Sequence, residues 1–343
     1  MSHWKAIAIA VFCCSLLTAH AFQDAAPVTG QWLIDGRPVD GRIQLTLQGN
    51  RGSSGHFSSA STLPLDQLRG LARGQIDSAG TNVRFEIVRD AGTLECEGYF
   101  KNGNGSGAFT FAPNAGFVSE MQALGYQGLS PDMVFAMALH DVKLSYVRDL
   151  RGLGLDRVTS DQLIALCIHG VAIEYIREMK ALGYNELSPD NLVAMRIHEV
   201  SVDFARELKM LGYNPSVDQM VAMRIHGVAP EFAREMKALG YGAISPDQMI
   251  AMRIHGADIP FVKEVKSLGY APTVDQLVAM RIHGADIPFV REVKSLGYTP
   301  TVDQLVAMRI HGVTPEYIRS LQARGMKNLT IDQLISLKIR GIY

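Results

Sequence analysis

The chain has 343 residues, 47% of them apolar, with 33 basic and 34 acidic side chains for a formal net charge of −1. This is the composition of a globular protein, and it is too long for one typical domain. It lacks the positive excess that a phosphate backbone or an anionic membrane would select.

Residues 1–21 read as a secretory signal peptide. Lys5 supplies a positive start, Ala6 to Leu17 an apolar core, and Ala19-His20-Ala21 an A-x-A cleavage site. A membrane-spanning helix needs about 20 apolar residues, and this core is shorter. A lipoprotein would need a cysteine at the cleavage point, and Cys13 and Cys14 lie too early. The mature chain is therefore expected to begin at Phe22, to be periplasmic or secreted, and to carry no stable membrane span.

Residues 22–113 are expected to form a β-domain. Strands are predicted at Val28–Ile34, Gly41–Leu47, Val83–Val88, Thr93–Phe100 and Ala108–Ala112. Alternation is plain in Ile43/Leu45/Leu47 and in Val83/Phe85/Ile87. Asp35-Gly36, Asp90-Ala91-Gly92 and Asn102-Gly103-Asn104-Gly105 supply turn chemistry between the strands. Leu63 to Ala72 reads as a helical turn or two. The expected form is a small antiparallel β-sandwich or partial barrel. Gly30-Gln31-Trp32 matches the G-x-W of lipocalin-like first strands, against the simpler reading of Trp32 as a core anchor. Cys96 and Cys167 are the two cysteines that outlast cleavage, and they are read as separate buried thiols.

Residues 114–343 repeat one text eight times. His140, His169, His198, His226, His255, His283 and His311 fall 28 or 29 residues apart, and Arg340 holds the place in the last copy. A fixed period of this size marks an α-solenoid of two-helix repeats. In one copy Asp286 is an N-cap, Pro288 sits in the first turn, and Gly297 with Tyr298 form a Schellman ending. The second helix opens with Thr301 and Gln304, a capping box, and closes at Gly312. Val302, Leu305, Val306, Met308 and Ile310 make it apolar nearly all round, so it is expected to form the inner layer. Arg324, Gln322 and Arg340 give the last copy the polar face of a terminal repeat. The fold class is thus α+β, with the solenoid starting directly after the last strand.

The periodic histidines are read as caps at helix C-termini rather than metal ligands. Neighbouring repeats stand about 8–10 Å apart, too far for adjacent imidazoles to share one ion at about 2.0–2.1 Å. No cofactor is expected. Arg196, Arg224, Arg253, Arg281 and Arg309 form a second row, able to grip carboxylates or to make ion pairs between repeats. No H-E-x-x-H, G-x-S-x-G, P-loop or dinucleotide fingerprint occurs, so no catalytic residue is predicted. Helical arrays that read nucleic acid share the T-x-D-Q-L-V-A-M style of helix, but export and charge balance argue against that partner.

Tyr175 to His198, Y-I-R-E-M-K-A-L-G-Y-N-E-L-S-P-D-N-L-V-A-M-R-I-H, resembles the repeats appended to bacterial antirepressor metallopeptidases, membrane proteases related to penicillin-sensing receptors. Arg89 to Gly98, R-D-A-G-T-L-E-C-E-G, is similar to the β-segment beside those repeats. The resemblance implies an envelope sensing or interaction module and excludes the peptidase, whose zinc motif and membrane helices are missing here. The expected function is an exported, non-catalytic scaffold that binds a protein or peptide through the solenoid surface, with the Arg row and Trp32 as candidate binding residues. Two alternatives are a sensor of a small molecule or cell-wall fragment, with a cavity behind Trp32, and a hydrolase without a familiar motif.

Overall fold

The computed structural model describes residues 27–342 apart from 52–54 and 243. The expected signal peptide lies outside the described residues. Six strands follow: β1 (Thr29–Ile34), β2 (Arg42–Arg51), β3 (Gly55–Pro64), β4 (Thr81–Arg89), β5 (Gly92–Lys101) and β6 (Asn104–Pro113). They form one antiparallel sheet in the order β3-β2-β1-β6-β5-β4. Asn102 and Gly103 turn β5 into β6 with φ of 53° and 92°, both left-handed, as a tight primed hairpin requires. Between β3 and β4 the helical turns lie at Leu65–Gln67 and Arg73–Ile76.

β3 is absent from the expected strands. It pairs with β2 along its whole length, Leu45 opposite Ser61 and Leu47 opposite Ser59. Leu45 and Leu47 of β2, Ser59, Ser61 and Leu63 of β3, Ile87 of β4 and Leu94 of β5 line one shared interior. The two ends of the sheet therefore curl toward each other, which makes a partial barrel rather than a sandwich of two facing sheets.

Sixteen helices follow among the described residues. They are α1 (Ala115–Ala123), α2 (Pro131–Leu139), α3 (Leu144–Gly152), α4 (Ser160–Ile168), α5 (Ile173–Ala181), α6 (Pro189–Ile197), α7 (Val202–Met210) and α8 (Val217–Ile225). The rest are α9 (Pro230–Ala238), α10 (Pro246–Ile254), α11 (Ile259–Ser267), α12 (Val274–His283), α13 (Ile287–Ser295), α14 (Val302–Ile310), α15 (Pro315–Ala323) and α16 (Ile331–Ile339). Each odd helix and the even helix after it make one repeat.

The chain divides into two compact units. One holds residues up to Arg177 with Ser188–Val193; the other holds Glu178–Leu187 with Ala194 onward. In the first unit, Asn114 follows β6 at once and caps α1, its side chain accepting from the Gly116 N–H at 2.9 Å. Helix α2 packs on β5 and β6 and plugs the curled sheet. Phe135 stacks on Phe109 with centroids 5.9 Å apart, and meets Phe57 and Phe111 edge-on at 5.3 and 5.2 Å. The Asp90 carboxylate accepts from the Leu144 N–H at 2.9 Å, so the β4–β5 turn also caps α3. These contacts explain why the first repeats are of one piece with the sheet.

In the second unit, odd helices pack on the next odd helix and even on the next even one. Phe289, Val290 and Val293 of α13 are buried, as are Val302, Leu305 and Met308 of α14. Helices of about ten residues are marginal alone, so this burial is what holds them. The ends match the sequence. Tyr298 N–H donates to Val293 at 3.4 Å and Gly297 N–H to Lys294 at 3.0 Å, the two bonds of a Schellman motif. Gln304 N–H donates to Thr301 Oγ1 at 3.2 Å while Thr301 N–H donates to Gln304 Oε1 at 3.0 Å.

Candidate functional site

The polar side chains of the repeats are first explained by stacking. On the odd helices an acid of one repeat meets a base of the next: Arg148 with Glu120, Arg177 with Asp149, Arg206 with Glu178, Arg234 with Glu207, Lys263 with Glu235, Arg291 with Glu264 and Arg319 with Glu292. Each is about half exposed, so each contributes a few tenths of a kcal/mol to about 1. At the start of the even helices, the capping-box glutamine donates to the aspartate of the next repeat. Gln162 reaches Asp190 at 3.1 Å, Gln219 reaches Asp247 at 2.9 Å, Gln248 reaches Asp275 at 3.2 Å and Gln276 reaches Asp303 at 2.8 Å.

A third set caps helix C-termini across repeats. Lys266 Nζ donates to the Leu239 carbonyl and Lys294 Nζ to the Leu268 carbonyl, each at 2.7 Å. Both carbonyls belong to the C-cap of the preceding odd helix, where a cation suits the helix dipole. The same lysines lie over Tyr241 and Tyr270, 5.3 and 5.2 Å from the ring centroids.

The predicted arginine row makes the matching contact on the even helices. Arg224 Nε donates at 3.2 Å to the carbonyl of His198, the residue after α6. Arg224, Arg253, Arg281 and Arg309 lie over Phe204, Phe232, Phe261 and Phe289 at 5.0–5.7 Å. The guanidiniums reach the glycine turn of the preceding repeat. A Cβ added at Gly227, Gly256 or Gly284 would come within 3.3, 3.0 and 3.1 Å of Nη2 of Arg253, Arg281 and Arg309. Arg224 pairs with Glu199 at 2.9 Å. Among the described residues, no carboxylate pairs with Arg253, Arg281 or Arg309. Arg196 is exposed on α6.

Between each arginine and histidine stands an isoleucine, and here the sequence expectation fails. Ile310 is not in an inner layer. Ile168, Ile197, Ile225, Ile254, Ile282, Ile310 and Ile339 are 51–63% exposed, one in each repeat but the first, where Leu139 is half-buried. Buried Val302, Leu305 and Met308 define one side of α14; at 100° per residue Ile310 points about 200° from Met308, to the opposite side. Four residues earlier Val221, Ile250, Val278, Val306 and Ile335 are half-buried on that same side. The outward side of the even helices thus carries two rows of β-branched residues. The histidines hold the C-cap position of their helices in most copies; in α12, His283 is the last helical residue and Gly284 the C-cap. Among the described residues, no three His, Cys, Asp or Glu side chains converge as a metal site.

Trp32 is fully buried. Its indole lies over Gly98 and Gly107, where an added Cβ would come within 2.5 and 2.7 Å of the ring. Nε1 donates to the Glu97 carbonyl at 3.0 Å, and Phe85 and Phe100 pack at 5.0 and 5.5 Å. The void lined by β2–β5 and α2 is only about 30 Å³, room for a water or two. Trp32 thus sits as a core anchor among Gly98, Gly107, Phe85 and Phe100. Cys96 and Cys167 are both free thiols, Cys96 buried and Cys167 half-buried. Burial pushes Cys96 up to about 12 and Cys167 to about 11, Asp141 raising Cys167 further and Lys143 opposing.

No protein-family model matches the chain, and no curated protein matches it significantly. Among the described residues no helix is long and apolar enough to cross a membrane.

Proposed function

We propose that the protein is an exported, non-catalytic scaffold that binds a protein or peptide on the outward side of its even helices. The observation that carries this reading is the isoleucine row. The acids and bases of the odd helices are taken up by stacking, whereas in every repeat but the first an isoleucine at the same place leaves about half of its apolar surface in solvent. A run of apolar side chains this regular, bordered by Arg and His, has the make-up of an interface centre with a polar rim. The likeness of Tyr175–His198 to repeats of envelope metallopeptidases and the expected signal peptide support a site of action outside the cytoplasm.

The test is capture from envelope extract by the mature chain and by a variant with Ile254→Asp, Ile282→Asp and Ile310→Asp. These side chains are about half exposed, and the variant's thermal melt checks that it is folded before capture is compared. The reading expects a partner held by the native chain and lost by the variant. Equal capture by both would contradict it.

A further inference from the structure

The border of the isoleucine row has a sign and a spacing. Each guanidinium rests beside the turn glycine that follows the preceding isoleucine by two residues: Arg253 at Gly227, Arg281 at Gly256, Arg309 at Gly284. Along the second unit the order is therefore Ile225, Arg253, Ile254, Arg281, Ile282, Arg309, Ile310. Apolar and cationic groups alternate, one of each per repeat. The aspartates at the other end of these helices do not share this border. Asp303 precedes Ile310 by seven residues, about 10 Å along the axis.

The chain itself shows what these guanidiniums accept. At the turn where later copies have glycine with φ of 67–72°, Glu199 stands with φ of 55°. Its carboxylate meets Arg224 at 2.9 Å. Arg224 is thus occupied from within, while Arg253, Arg281 and Arg309, with glycine at that turn, keep a charge no carboxylate answers among the described residues.

The spacing selects a backbone. Packed helices stand about 8–10 Å apart. A polyproline II chain advances about 3.1 Å per residue with three residues per turn, about 9.3 Å per turn, and so presents the same side to each successive repeat. A β-strand repeats its side every two residues, about 6.6 Å, and drifts out of step.

We propose that the isoleucine–arginine row of α8–α14 binds an extended acidic peptide in polyproline II conformation, placing one apolar side chain and one carboxylate on each repeat. This rests on the reading of the array as a peptide scaffold and names the chemistry of its partner.

The probe is a dye-labelled peptide of repeated Leu-Pro-Glu triplets, about four polyproline turns long. Two controls replace every Glu with Gln or with Lys. Fluorescence anisotropy on the full chain at low salt reads the affinities. The Glu peptide is expected to bind about tenfold tighter than the Gln peptide and to weaken as salt rises. Arg281→Gln, which removes one of three guanidiniums, should weaken the Glu peptide about two- to threefold while leaving the Gln peptide unchanged, which also shows that the variant is folded. Asp303→Asn should change neither. The proposal is overturned if the Glu peptide does not bind at about 1 mM, or if the Gln or Lys peptide binds as well as it does. If the Gln peptide binds equally and Ile282→Asp abolishes that binding, the acidic preference falls while the scaffold reading stands.

Discussion

The sheet unit and the repeat unit are held together in different ways. In the sheet, β1 lies between β2 and β6, so the first strand closes only when the last has formed. One aromatic cluster, Phe57, Phe109, Phe111 and Phe135, ties β3, β6 and α2 at a single place. In the second unit, helices α7 to α16 lean on their counterparts one repeat away, and the ion-pair, Gln–Asp and C-cap ladders recur with the same step. A defect in the first unit is felt throughout it; a defect in the second is felt by its neighbours.

The largest break in this contrast comes from Phe135→Ala. Truncating a buried aromatic costs about 3–5 kcal/mol, and here it empties the plug of the partial barrel. The near-UV signal of the sheet unit should melt early while most helical signal persists; a single unchanged transition would argue against the division. Alkaline pH sharpens the same point. Burial raises Cys96 from 9.0 to about 12 and Cys167 to about 11. Thiols held protonated by the fold stabilise it fully below pH 9, and that contribution is lost as pH rises toward 11–12. The sheet unit should lose stability across that window, and neither thiol should react with iodoacetamide at pH 8 in the native protein.

Smaller effects belong to the repeats. Gly284 has φ of 70°, and an added Cβ would lie 3.1 Å from Arg309 Nη2. Gly284→Ala should therefore cost about 1 kcal/mol or slightly more, visible as a lowered chemical-denaturation midpoint. Arg291→Gln removes one exposed partner of Glu264 and should cost only a few tenths of a kcal/mol, less at high salt.

Much of this was legible in the sequence because the signals are local. Capping boxes, Schellman glycines and the Asn102-Gly103 turn each decide a conformation within a few residues. β3 was not legible because its inward positions are Phe57, Ser59, Ser61 and Leu63; two small hydroxyl residues blur the alternation that marks a strand. The arginine row was legible as a row, and its Phe and glycine-turn seats were not, since they lie in other helices. Ile310 was misassigned to the core because a helix apolar nearly all round does not announce its open side. The angle from Met308 carried that information.

The central claim is that the second unit is a sum of nearest-neighbour repeats. Residues 255–282 and 283–310 differ only at Lys263/Arg291 and Ala271/Thr299, so a whole unit can be removed cleanly. Deleting 283–310 joins Ile282 to His311, as Ile310 is joined now, and lets Arg319 meet Glu264 in place of Glu292. Deleting 283–296 instead leaves one helix without its partner and bares an apolar side. Thermal melts followed by circular dichroism should show the first variant helical, soluble and slightly less stable, and the second aggregated or unfolded. If both deletions unfold the protein alike, the repeats form one closed domain and the account is wrong.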